Sequence, residues 1–211
     1  MARSGSSDSN PTPATLGRRR HHVMFQTNLL AILALMPFPA ALLAASMSVR
    51  ARNAEAWLAG GLMAAGVAIL VWLYPQVSDG GRVIARIAWL PELGLNLVFR
   101  LDGFSWLMMT LVMGTGLLVS IYARYYLSAT DHFPRFYGFL LAFVGAMSGI
   151  VLSGNIIMLV VFWELTSITS FLLIGYWYQL PAARNGARTS LMVTVAGGLC
   201  LFAGMLVIGH I

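Results

Sequence analysis

Residues 156–177 read IIMLVVFWELTSITSFLLIGYW. The stretch is long enough to cross a bilayer as a helix, which takes roughly 20 apolar residues. Its one charged side chain is Glu164. A membrane span with a carboxylate near its middle sets the question that the rest of the chain must answer.

The surrounding sequence has the same character. Of 211 residues, 59% are hydrophobic and 9% are charged, against about 25% charged in soluble domains. Mean hydropathy is +0.79. The fold class is therefore an all-α polytopic membrane protein, with six spans expected at 28–47, 57–74, 104–122, 136–152, 156–177 and 189–211. Pro37 and Pro39 interrupt the first, which membrane helices tolerate where neighbours or water satisfy the freed carbonyls. Ser153, Gly154 and Asn155 are all that separates the fourth span from the fifth, so those two must be antiparallel neighbours. Gly145, Gly149 and Ser153 recur every four residues, a spacing that lets another helix approach closely.

Residues 1–23, MARSGSSDSNPTPATLGRRRHHV, are polar and end in a basic run. They cannot bury enough apolar surface to offset the entropy of ordering, so a disordered tail is expected, with the membrane segment at 24–211. The basic run followed by LLAILALMPFPAALLAAS resembles a signal peptide. The internal prolines and the spans that follow at once weigh against cleavage, and Met24 offers an alternative start for translation.

Between the second and third spans lies RVIARIAWLPELGLNLVFRLDG, residues 82–103. Leu95, Leu97, Phe99 and Leu101 alternate with Asn96, Val98 and Arg100, and PELG supplies turn residues. A short β-hairpin at the membrane surface is expected. Asp102, just ahead of the third span, has the place and chemistry of a helix N-cap.

All 13 basic residues are Arg. With the tail, seven lie on one side (3, 18, 19, 20, 82, 86, 100) and six on the other (50, 52, 124, 135, 184, 188). Without the tail the count is three against six, which places the loops at 48–56, 123–135 and 179–188 in the cytoplasm and the start of the first span outside. This arrangement of arginines follows membrane topology. It is not the basic patch interleaved with aromatics that nucleic-acid binding requires, so no nucleic-acid partner is expected. No metal-ligand cluster, phosphate loop or nucleophile–base pair stands in the sequence, and neither a metal nor a cofactor is expected. Cys200, within an apolar run, behaves as a small hydrophobe.

Glu164 lies nine residues after Asn155, roughly 13 Å into the bilayer. A charge there costs about 2.5–3.5 kcal/mol on insertion scales, and ionisable groups at such depth mark ion and proton pathways. Apolar surroundings favour a neutral carboxyl and a nearby cation favours a charged one. A group held between those influences can relay protons. Ser167, at i+3, shares the face of Glu164, and Thr166, Thr169 and Ser170 enrich the same turn in hydroxyls. These could solvate the carboxylate or bond back to their own carbonyls, the commoner behaviour of membrane Ser and Thr. Every Arg lies near a span end or beyond it, so a basic partner at midplane depth must come from outside this chain.

FWELTSITSFLLIGYW, preceded by SGN, resembles the fifth span of the antiporter-like membrane subunits shared by respiratory complex I and the Mrp-type cation/proton antiporters. FRLDGFSWLMMTLVMGTGLLVSIYARYYL resembles the family's third span. Together with GARTSLMVTVAGGLCLFAG, the motif is most similar to the A-type subunits of the Mrp antiporters, because complex I subunits tend to have glycines where this chain has Leu165, Thr166 and Ser167. The resemblance covers about residues 24–211. It implies a subunit of a hetero-oligomeric antiporter in the bacterial inner membrane, exchanging cytoplasmic Na⁺, K⁺ or Li⁺ for external protons without a redox cofactor. It also implies that Glu164 pairs with a lysine on a later, broken helix. The expected partners are the lipid bilayer, the other subunits, H⁺ and monovalent cations. Two alternatives stand beside this: a proton-pumping subunit of NADH-quinone oxidoreductase, and a truncated, non-transporting remnant. Family members have many more spans, so the chain reads as the N-terminal piece of a larger subunit.

Overall fold

The computed structural model describes residues 13–48, 52–90, 95–128 and 131–209. Their elements run α1 (Pro13–Leu35), α2 (Pro37–Ser46), α3 (Arg52–Val77), β1 (Val83–Leu90), β2 (Leu95–Leu101), α4 (Gly103–Tyr126), α5 (Phe133–Val151), α6 (Ile156–Ile174) and α7 (Pro181–Gly209). Six helical segments are long and apolar enough to cross a membrane, and one two-stranded antiparallel sheet accompanies them.

The first span, Met24–Ser46, is two helices joined at Met36. Pro37 has no N–H to donate and its ring crowds the preceding turn, so the helix restarts there. The Met36 N–H still reaches the Ile32 carbonyl at 2.8 Å and the Ala40 N–H reaches Met36 at 3.3 Å, so few backbone groups are left unpaired. Helix α3 buries a stripe through Ala59, Met63, Leu70, Leu73 and Val77, the i+3/i+4 spacing of one helical face. Helix α4 packs on it: the Trp106 indole donates to the Leu70 carbonyl at 2.7 Å, and a Cβ at Gly116 would come within 2.8 Å of the Met63 sulfur.

Helix α5 is the centre of the bundle. Of its span 56% is buried, against 6% for α7 at the rim. Its small residues bring neighbours close, as their spacing leads one to expect. Gly138 meets the Ala41 carbonyl and Ala45 of α2, Gly145 meets the Phe38 ring, and Gly149 leaves no room between α5 and the Phe162 ring of α6. Ser153, the third residue of that series, lies beyond the end of the helix.

The hairpin forms with the expected alternation. Ile84 pairs with Arg100 and Ile87 with Leu97, with an irregularity between Ala88 and Leu90. Phe99 and Leu101 are buried while Asn96 and Arg100 are exposed. The PELG turn, 91–94, lies outside the described residues. Gly80, with φ of 76°, supplies the left-handed turn that leads from α3 into β1. The 153–155 turn between α5 and α6 docks on β2. The Arg100 N–H donates to the Leu152 carbonyl at 2.7 Å, and the Gly154 N–H donates to Val98 at 2.7 Å. The Asn155 amide donates to Asn96 at 2.8 Å. A Cβ at position 154 would lie 2.7 Å from both the Val98 oxygen and its Cγ1, so this close approach requires glycine.

Several boundaries differ from the sequence expectation. Residues 13–23 of the expected tail are helix, because Pro13 can occupy a first helical position and the Ala, Leu and Arg that follow are good helix formers. Residues 1–12 lie outside the described residues. Helix α7 begins at Pro181, so most of the loop expected at 179–188 forms its first two turns, for the same physical reason. The fifth span ends as helix at Ile174, and 175–180 form turns before Pro181.

Candidate functional site

Asn155 starts α6 by accepting the Met158 N–H on Oδ1 at 2.7 Å. That cap fixes the beginning of the helix and places Glu164 ninth of its nineteen residues. The Glu164 side chain is half-buried and lies against α7. Its Oε1 occupies the space a Cβ would take at Gly198, with the Trp163 ring 3.2 Å from the same point. The candidate site is therefore a carboxylate held where α6 and α7 touch, admitted by a glycine.

The neighbouring hydroxyls serve their own helix. Thr166 donates to the Trp163 carbonyl at 2.6 Å, and buried Ser167 donates to the same oxygen at 3.2 Å. Thr169 donates to Leu165 at 2.8 Å and Ser170 to Ser167 at 3.0 Å. Glu164 and Ser167 are thus not hydrogen-bonded to one another. The back-bonding arrangement is the commoner one for such side chains in membrane helices.

Among the described residues no hydrogen bond or ion pair reaches the Glu164 carboxylate. The nearest charge along α7 is Arg188, ten residues before Gly198, about 15 Å along the axis. At the hairpin end of the bundle, an ion pair joins Arg100 to Asp102 at 3.3 Å. Asp102 caps α4 by accepting the Ser105 N–H at 2.9 Å. That hydrogen bond, more than the Arg100 charge, holds its carboxyl below the usual range. No cluster of His, Cys, Asp and Glu among the described residues could ligate a metal, and Cys200 is an exposed free thiol.

A second carboxylate is not evident from hydropathy. Glu55 is 0% exposed, and among the described residues neither of its oxygens has a hydrogen-bond partner. It sits one turn before Ala59 and so extends the buried stripe of α3. A span that starts at Trp57 puts it in a loop. Tracing the Ala59, Met63 and Leu70 spacing backwards by four residues finds it. The Tyr176 hydroxyl, also buried, lies beside the His132 backbone without a well-formed hydrogen bond among the described residues, and within electrostatic range of Glu55.

Residues 89–137 match the family described as NADH-ubiquinone oxidoreductase (complex I), chain 5 N-terminus. Residues 153–211 match NADH:quinone oxidoreductase/Mrp antiporter, TM. The chain is 48% identical over 189 residues to a probable K⁺/H⁺ antiporter A/B subunit of Rhizobium meliloti, covering 90% of this chain and 19% of that protein. It is 46% identical over 136 residues to the A1 subunit of a Na⁺/H⁺ antiporter of Staphylococcus haemolyticus, covering 64% and 17%. The solved structure of the Mrp complex from a Dietzia species superposes with a TM-score of 0.65 at 32% identity, covering 85% of this chain and 19% of that one. The chain spans about a fifth of the length of these relatives. Its motifs, its six spans with their hairpin, and these likenesses agree: the chain belongs to the family of membrane subunits shared by NADH:quinone oxidoreductase and the Mrp antiporters.

Proposed function

We propose that this chain forms the N-terminal membrane part of one subunit in a hetero-oligomeric monovalent cation/proton antiporter, with Glu164 in the proton path. The supporting observation is the carboxylate at mid-span, pressed on Gly198 with no donor to it among the described residues. A carboxylate so placed in lipid takes up a proton or finds a cation. The basic partner that would draw the proton off again comes from helices that follow α7. The complex sits in the bacterial inner membrane with the face bearing Arg124, Arg135, Arg184 and Arg188 towards the cytoplasm, following the positive-inside rule. It exchanges cytoplasmic Na⁺, K⁺ or Li⁺ for external protons and needs no redox cofactor. The relatives named for K⁺/H⁺ and for Na⁺/H⁺ exchange leave the cation to experiment.

The test uses inside-out vesicles carrying the complete complex, energised without NADH, with a dye reporting internal pH. Addition of Na⁺ or K⁺ gives a pH change in the wild type. Glu164→Gln, which keeps the shape but cannot carry a proton, loses most of that change while the complex assembles normally. Wild-type exchange in Glu164→Gln removes the carboxylate from the path. Proton pumping that appears only on NADH addition moves the chain to the quinone-reducing members of its family.

A further inference from the structure

Glu55 has no solvent exposure and, among the described residues, no hydrogen-bond donor. It lies in the first turn of α3, at the end of the bundle where α6 gives way to the turn holding Tyr176. From Glu164 to the end of α6 at Ile174 is ten residues, about 15 Å. A buried carboxylate with no donor among the described residues, and a buried phenol within electrostatic range of it, mark a place for ordered water.

A pocket of about 80 Å³ opens on the arginine-bearing face and is lined by Asp131, His132, Arg135, Tyr176, Trp177 and Gln179 among others. Tyr176 lines that pocket and lies within electrostatic range of Glu55. Burial, with the Asp131 carboxylate, pushes the ionisation of this phenol up to about 12, so it stays a neutral donor. Asp131 is itself engaged, accepting the Ser128 N–H at 2.9 Å and the Trp177 indole at 3.3 Å. Of the helices packed on α3, α4 carries Arg124, whose guanidinium lies 5.7 Å over the Trp57 ring, and α5 carries Arg135, which lines the pocket. Tyr137 on α5 donates to the Ser120 carbonyl at 3.1 Å, and α2 carries no titratable side chain.

We propose that Glu55, with the Tyr176 hydroxyl and water beside it, is a second proton-holding site, filled from the arginine-bearing face through this pocket. The step is a simple exchange. An O–H bond of hydronium in the pocket breaks as an O–H bond forms on one Glu55 oxygen, leaving water, and release reverses the transfer.

The experiment is infrared difference spectroscopy of the complete reconstituted complex between acidic and alkaline media. The wild type shows a carboxylic-acid C=O band that Glu55→Gln removes and Glu164→Gln leaves in place. Transfer to D₂O shifts the band promptly, because the proton exchanges through the pocket. Tyr176→Phe moves its frequency without abolishing it. Full carboxylic-acid intensity in an assembled Glu55→Gln complex overturns the proposal, and so does a band that resists D₂O. Should Glu55→Gln fail to assemble, an unchanged band in Tyr176→Phe overturns it equally. The readout needs no transport, so its failure leaves the role of Glu164 untouched, and loss of that role leaves this site standing.

Discussion

Gly198 decides how Glu164 lies. A methyl group there would claim the position of Oε1, and the carboxylate would have to swing aside. Gly197 has nothing within 4 Å of a would-be Cβ and serves as the control. A shift near 1 Å in a reacting group can cost on the order of 10²-fold in rate. Gly198→Ala in the complete complex should therefore slow cation-triggered proton movement about tenfold or more, with normal assembly, while Gly197→Ala stays near wild type. Equal rates in the two variants would show that the contact does not position the carboxylate. Glu164 is legible in the sequence because every neighbour is apolar or a small hydroxyl. Glu55 is not, because it stands where the hydropathy of α3 begins, beside Asn53 and Arg52, and only its burial sets it apart. Gly198 is invisible for a different reason: a glycine among Gly197, Gly204 and Ala196 carries no sign of which one faces a carboxylate.

At the scale of elements, the features legible in advance are those with a local cause. Alternation announces β2, the Asp102 cap announces α4, and the three-residue turn announces the pairing of α5 with α6. Helix ends are less legible, since Pro181 and Pro13 read equally well as loop residues or as the first residues of a helix. The cap makes a measurable claim. Removing it in Asp102→Ala should cost about 1 kcal/mol, read as a lower thermal midpoint of the detergent-solubilised complex. Its pH dependence follows from the lowered carboxyl. The contribution is fully present above the unfolded value of about 3.9 and is lost as pH falls through the lower folded one. Asp102→Asn keeps a good cap and should remove that acid-side loss, so the two unfolding curves converge below pH 4 and separate above it. Parallel curves at all pH values would mean that the charge contributes nothing to the cap.

At the scale of the whole molecule, the number of spans and their alternating direction follow from hydropathy alone. The position of α5 at the centre and of α7 at the rim does not. Helices apolar on every side give no polar face to point outward, and the choice rests on where glycines let helices meet. Orientation in the membrane can be read by labelling. In a cysteine-free complex, Ser78→Cys lies at the hairpin end and Gln179→Cys at the arginine-bearing end, both exposed. An impermeant thiol reagent added to intact cells should label the first, and the second only after the membrane is opened. The reverse pattern would place the arginines outside.

The docking of the 153–155 turn on β2 gives the bundle a depth gauge. Two hydrogen bonds from that turn and a third to Leu152 just before it clasp this connection to the hairpin, and Asn155 sets the first turn of α6 from this fixed mark. An α-helix is a stiff ruler graduated at 1.5 Å and about 100° per residue, so the height and bearing of Glu164 are both counted from the hairpin. Sliding one residue into 156–163 would turn the carboxylate about 100° from Gly198 and face it to another neighbour. The clasp at the surface is thus the zero point from which the carboxyl group is aimed.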